Sequence, residues 1–397
     1  MFLKVGGKII TQGEKFMDKS FNYLEFTVNG DRFPLDGSGR GNPSFSLVFS
    51  RTTSIEINWD DGNVQTYEGD TIRFSESSPY LYQDSNTEDR TIRITFEEPN
   101  SLLEIKSIRT FLGRVFPVNI TKFLSITDIS LNQGSGIEVF PENLASLSNL
   151  KDLVLTEASL TQLPLSVLNL GLERLVVDRS IDLSLPNSNF ERINLLQNTL
   201  LFLSIADTNI STFPSTLLEL SNLELLLIAN IPYSGSIPSQ VFGLEKLKLL
   251  IWDITEGKYL NDLQGLQFME NLETLDINCR FFIDETVFDP VIPDIQNLKK
   301  INEIRITGGT RCPLNIQSKM DEFVNSIYSN VNSYASKTLG NTAFRQMTII
   351  TNSSTPSGLY QEPLGFVLGS DNGNPQTPLE KIWIMVNQYE HTWNYSQ

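Results

Sequence analysis

Few side chains in this chain are suited to chemistry, and their spacing defeats most mechanisms. The single histidine, His391, would have to serve any Ser–His–Asp or Cys–His arrangement. It sits among aromatic residues near the C-terminus, where a surface position is expected, and no G-x-S-x-G context accompanies any serine. The only cysteines, Cys279 and Cys312, together with that histidine, are too few for a four-ligand zinc site. They exclude a disulfide framework; two free buried thiols are expected, with one bridge as the alternative. No Walker loop or dinucleotide fingerprint occurs. The stretch Gly37-Ser38-Gly39-Arg40-Gly41 falls between two strand candidates and reads as a flexible loop. Asp60, Asp61 and Asn63 offer oxygen ligands that calcium could use, but a plain turn held by Asx hydrogen bonds is the preferred reading. The expectation is a protein without catalysis, cofactor or resident metal.

Bulk properties narrow the class further. The 397 residues are 40% hydrophobic, enough for several cores, and carry a net charge of −17. Such a balance repels a nucleic-acid backbone, so no nucleic-acid partner is expected. No apolar run approaches the roughly 18 residues of a membrane span. Met1 to Lys8 contains no long apolar core before a small-residue cleavage site, so no signal peptide is expected. On that reading the protein stays in the cytosol or leaves it by a route other than general secretion.

Between residues 129 and 306 one phrase recurs: apolar, any residue, apolar. The pairs are Ile129/Leu131, Leu153/Leu155, Leu175/Val177, Leu203/Ile205, Leu226/Ile228, Leu250/Trp252, Leu275/Ile277 and Ile304/Ile306. A second signature follows five of them: Phe140-Pro141, Leu163-Pro164, Leu185-Pro186, Phe213-Pro214 and Ile237-Pro238. Proline there marks where the chain leaves a sheet and needs no ladder donor. The period, roughly 20–29 residues, resembles that of leucine-rich repeat proteins, in which each coil is one short strand and one return segment. That resemblance covers residues 119–310 and implies a stack of coils with one parallel sheet. The asparagine usual after each strand is mostly replaced, by Ala158, Ser180, Thr208, Ile231 and Thr255. Irregular coils are expected as a result.

Upstream, residues 21–118 switch to a period of two. The runs Tyr23–Val28, Phe45–Phe49, Ser54–Trp59, Val64–Glu68, Thr71–Phe74 and Thr91–Phe96 read as short strands of an antiparallel β-sandwich. Trp59-Asp60-Asp61-Gly62 resembles the turn of polycystic-kidney-disease-like (PKD-like) sandwiches, shortened by two residues. Residues 1–20 read as an arm. Beyond Pro313, a helical stripe of Ile316, Met320, Phe323, Val324, Ile327, Val331 and Tyr334 precedes a strand, Met347–Thr351. A Gly/Asn/Pro loop follows, then a segment from Pro378 to Trp393. This tail, 313–397, is expected to cap the repeats of 119–312. The fold class is thus multi-domain and β-rich: sandwich, solenoid, α/β cap.

In leucine-rich repeats the residues between and beside the inward pair face out of a concave sheet. By that register Leu225, Leu227, Leu249 and Ile251 form an aliphatic group where water is expected, with Arg174, Arg179 and Phe202 nearby. An interface there, a covering loop of the chain itself, and a slip in register remain open alternatives. The module order resembles surface and phage-borne recognition proteins of the Bacteroidetes group. That resemblance implies a virion setting, assembled in the host cytoplasm, with other particle subunits or a host surface receptor as partners and a homo-oligomer expected. A cell-surface adhesin or a cytosolic repeat scaffold is the alternative.

Overall fold

A computed structural model describes residues 3–5, 8–10, 23–28, 44–74, 80, 82, 88–96, 105–111, 119–132, 140–141, 143–158, 160–180, 189–233, 237–254, 264–279, 298, 300–308, 313–329, 331, 348–351 and 354–395. Its contacts divide the chain into two compact units, 1–150 and 151–397.

In the first unit β1 (Leu3–Val5) pairs antiparallel with β2 (Lys8–Ile10); the rest of the expected arm lies outside the described residues. A mixed sheet follows, with β3 (Tyr23–Val28), β4 (Ser44–Asn58), β5 (Val64–Phe74), β6 (Arg90–Phe96), β7 (Ile105–Phe111) and β8 (Asp128–Asn132). Two expectations need correction. Phe45–Phe49 and Ser54–Trp59 are one strand, because the Ser50–Thr53 link holds no Gly, Pro or Asn to turn it. Val64–Glu68 and Thr71–Phe74 likewise run together through Gly69 and Asp70. Along one edge the long β4 pairs with β7 and then β6; along the other it pairs with β5, with a register shift between Val48 and Thr53. β7 was not anticipated from the sequence; it pairs parallel with β8, Ile108 opposite Ile129.

The alternation of β4 buries Ile55 and Ile57 completely, and Trp59 just beyond the strand is buried on the same pattern. Trp59 stacks on Tyr80 with centroids 3.9 Å apart and meets Phe74 edge-on at 4.8 Å.

The second unit is built on a parallel sheet. Its strands are β9 (Asp152–Thr156), β10 (Arg174–Asp178), β11 (Phe202–Ala206), β12 (Leu225–Ile231), β13 (Leu249–Ile254), β14 (Thr274–Cys279) and β15 (Glu303–Gly308), each pairing parallel with the next. The inward pairs align without slip: Leu153, Leu175, Leu203, Leu226, Leu250, Leu275 and Ile304 form one cross-strand row, and all are buried. This is the architecture of a leucine-rich repeat.

The prolines do more than leave the sheet. Pro164 caps α1 (Leu165–Leu168), and its carbonyl accepts the amide of Val167 at 3.0 Å. Pro214 and Pro238 open short 3₁₀ helices in the same way, accepting from Leu217 at 3.1 Å and Val241 at 2.9 Å. Each proline is the cap residue, with φ near −60° and extended ψ, and the N–H it lacks is not needed by the helix it precedes. Leu185-Pro186 lies outside the described residues.

The replaced asparagines leave a mark. Ala158, Ser180, Thr208 and Ile231 are buried, and the hydroxyls of Ser180 and Thr208 find no hydrogen-bond partner among the described residues. A different ladder exists on the approach to the strands. Asn222 donates to the Asn198 carbonyl at 3.0 Å and Asn271 to that of Glu245 at 2.8 Å. In the first unit Asn149 does the same to Leu124 at 2.8 Å. Each amide thus satisfies a carbonyl of the preceding coil.

The tail extends the sheet. After α2 (Gln317–Ser329), β16 (Thr348–Thr351) pairs parallel with β15. The small hairpin of β17 (Phe366–Val367) and β18 (Asp371–Asn372) and then α3 (Pro378–Asn387) lead to β19 (Thr392–Tyr395), which pairs parallel with β16. The stripe of α2 buries Met320, Phe323, Val324 and Ile327, whereas Ile316 precedes the helix and is exposed, and Tyr334 lies outside the described residues. His391 is buried, contrary to expectation: α3 turns the chain back so that His391 leads directly into the sheet, and its amide donates to the Met385 carbonyl at 2.9 Å.

Candidate functional site

Strand alternation in the second unit sends one set of side chains to the core and the other to the opposite, outer face. On that face the register builds cross-strand rows. Arg174, Phe202, Leu225 and Leu249 form one; Val176, Ser204, Leu227 and Ile251 form the next. Six of the seven candidate residues therefore come together. The exception is Arg179, which follows β10 with φ of 55° and lies outside both rows.

The four aliphatics are half-buried rather than open to water, and Val176 and Ser204 beside them are buried. Neighbouring parallel strands stand only about 4.8 Å apart. Leu225 therefore shields Leu249, and Leu227 shields Ile251. Charged pairs bound this apolar centre along the sheet. Toward β9, Arg174 donates to Asp152 at 3.2 Å while its guanidinium carbon lies 4.9 Å above the Phe202 ring. Toward β15, Arg305 bridges Asp276 at 3.5 Å and Glu303 at 2.9 Å. At the strand ends Arg179 contacts Glu157 at 2.8 Å and Asp207 at 3.9 Å.

Two carboxylates on this face are tuned by burial. Asp178 is pushed above its usual range by desolvation, although Ser204 Oγ at 2.8 Å and the Ala206 amide at 3.0 Å both donate to it and pull the other way. Burial also raises Asp276, against the opposing charge of Arg305. The arrangement offers contact area and ion pairs.

The Asp-Gly hairpin of the first unit is internally satisfied. Asp60 Oδ2 accepts the Thr91 amide at 2.8 Å; Asp61 Oδ1 accepts the Asn63 amide at 2.9 Å. Asp61 Oδ2 takes the Tyr80 hydroxyl at 2.7 Å and Asn63 Nδ2 at 3.1 Å. Burial, then the bond to Asp61, raises the Tyr80 hydroxyl to about 12. These bonds are those of a turn locked to its neighbours. Among the described residues no group of three or more His, Cys, Asp or Glu is placed to hold a metal ion. The Cys279 side chain and Cys312 lie outside the described residues.

Sequence reasoning missed one surface. Leu359, Tyr360, Leu364, Val367 and Leu368 are all exposed, Leu364 to 87%. They lie within the β17–β18 hairpin or in the residues just before it, and Phe366 of that hairpin instead turns back onto Trp383 at 4.9 Å. The available signal was an aperiodic apolar run punctuated by Pro363, Gly365 and Gly369.

No protein-family model and no curated protein matches the sequence. Similar solved structures include the Arabidopsis receptor kinase HAESA in complex with the peptide hormone IDA and the co-receptor SERK1. It is 19% identical over 66% of this chain and 41% of its own, with a TM-score of 0.42. Internalin C2 from Listeria monocytogenes is 18% identical over 57% of this chain and 87% of its own, with a TM-score of 0.37. The leucine-rich repeat domain of the type III effector XopL is 19% identical over 48% and 63%, with a TM-score of 0.32. The chain spans less than half of the HAESA chain. Among the described residues no helix is long and apolar enough to cross a membrane.

Proposed function

We propose that this protein is a non-catalytic recognition module that binds a protein partner through the outer face of β10–β13. The observation that carries the reading is the register: it gathers Phe202, Leu225, Leu227, Leu249 and Ile251 into one apolar centre with ion pairs on both flanks. An apolar centre inside a polar rim is the anatomy of protein interfaces. In this proposal residues 21–118 are a PKD-like sandwich that serves as the structural mount, and 313–397 cap the repeats. The setting inferred from the module order is a phage or phage-tail-like particle, with particle subunits, further copies of the chain, or a host receptor as partners. A cell-surface adhesin would use the same face in the same way.

The test is the double variant Leu227→Lys with Ile251→Lys. Both side chains point away from the core, so circular dichroism and the melting transition should stay close to those of the parent. Adsorption to host cells and incorporation into particles should be lost. Unchanged adsorption and incorporation would remove the face from consideration, and an unfolded variant would show that the outer row is core.

A further inference from the structure

We propose a second binding site, separate from the outer face: a groove for a neutral, polyhydroxylated ligand of mono- or disaccharide size, where the chain leaves β11 and β12. The open groove has a volume of about 480 Å³, within the range of roughly 300–1,000 Å³ typical of small-molecule sites. Two aromatic rings line it, Phe213 and Tyr233, their centroids 6.0 Å apart and their planes at 56°. Both touch the indole of Trp252, Phe213 at 5.3 Å and Tyr233 edge-on at 6.1 Å. Trp252 is fully buried, so the pair is braced by the core and its tilt is set before any ligand arrives.

The polar lining comes from Ser211, Thr212, Ser215 and Gln240, all exposed. Hydroxyls and a carboxamide both donate and accept, the capacity that sugar hydroxyls require. Among the described residues no lining side chain carries a charge, in a chain with 30 basic and 47 acidic residues. A phosphate, carboxylate or ammonium ligand would find no counter-ion among these side chains. Aromatic faces are electron-rich and attract the polarised C–H groups on the apolar side of a sugar ring. The combination of ring faces, hydroxyl partners and neutrality thus selects a saccharide over a nucleotide or an ionic peptide.

The Nε1–H of Trp252, the indole that backs the aromatic pair, is buried and has no hydrogen-bond partner among the described residues, which makes its resonance a reporter of changes in the rings packed on it. Burial also raises the Tyr233 hydroxyl above its usual range.

The experiment is a titration of the ¹⁵N-labelled chain with glucose, galactose, mannose, N-acetylglucosamine and their common disaccharides, at up to high millimolar concentration. The Trp252 indole resonance is assigned with Trp252→Phe. At least one sugar should shift that resonance saturably. Gln240→Ala, at the exposed rim, should weaken binding about ten-fold with an unchanged melting transition, and Tyr233→Ala should abolish it. The variant Leu227→Lys with Ile251→Lys should bind the sugar normally, which separates this site from the outer face. No saturable shift with any sugar, or binding undiminished in both Gln240→Ala and Tyr233→Ala, overturns the proposal.

Discussion

The outer-face aliphatics and those of the C-terminal hairpin belong to the same unit and the same chemical class, yet they meet water very differently. Leu225, Leu227, Leu249 and Ile251 are half-buried, whereas Leu364, Leu368 and Leu359 are 87%, 70% and 68% exposed. Hydrophobicity cannot explain the difference, because most of these residues are leucine. Backbone geometry does. Parallel register sets each outer-face side chain against a like neighbour one strand away, so the group shields itself. In the hairpin, the Asn374 amide donates to the Leu364 carbonyl at 3.0 Å and the Ser370 amide to that of Val367 at 3.0 Å. These turns splay the side chains apart, and only Phe366 finds a partner inside. An aliphatic residue on a sheet is insulated by its row; one on a tight turn has no row.

The comparison breaks first if the row itself is wrong. Leu203 is fully buried on the inward side of β11, one residue from Phe202 and Ser204 on the outer face. Leu203→Asp removes the transfer energy of a leucine and buries a charge, a loss of at least about 4 kcal/mol. The 151–397 unit should lose its cooperative melting transition, measured by calorimetry. Parent-like melting would mean that inward and outward faces have been exchanged.

The hairpin half of the comparison depends on Gly373. Its φ is +66°, and a Cβ there would stand 2.6 Å from the Phe366 nitrogen and 2.7 Å from the Leu364 oxygen, both backbone atoms. Gly373→Ala should cost about 2 kcal/mol and open the hairpin to limited proteolysis, with the rest of the unit still folded. A variant as protease-resistant as the parent would show that the leucines are held out by something other than this turn.

How much of this was readable without the structure differs between the two surfaces for the same reason. The outer face was legible because strand periodicity is local: once Leu226/Ile228 and Leu250/Trp252 are inward, the residues between them must face out. Their partial shielding was not legible, since it depends on which residues of adjacent coils fall opposite one another. The asparagine expected after each strand is mostly replaced, whereas the ladder of Asn149, Asn222 and Asn271 lies before the strands, in the phrase Asn-Leu-x-x-Leu, and its role depends on which carbonyl of the preceding coil each amide reaches. The hairpin has no period at all, and its exposure follows from turns whose hydrogen bonds join residues up to ten positions apart. The burial of His391 was hidden for a related reason: it depends on β19 pairing with β16, some forty residues upstream.

The smallest expected effect sharpens the comparison most directly, because it sets equal substitutions against each other. Leu227→Ser removes a half-buried side chain and should cost about 1 kcal/mol of unfolding free energy. Leu364→Ser removes a side chain already 87% in water, so unfolding free energy should change by less than about 0.5 kcal/mol. The second variant should still differ from the parent in one respect. Exposed aliphatic side chains promote non-specific association, so Leu364→Ser should raise the concentration at which the protein begins to aggregate, read by light scattering. Chemical denaturation of both variants in parallel supplies the free energies. Equal costs at the two positions would mean that Leu364 is packed in solution, and that the hairpin does not hold its leucines away from the rest of the unit.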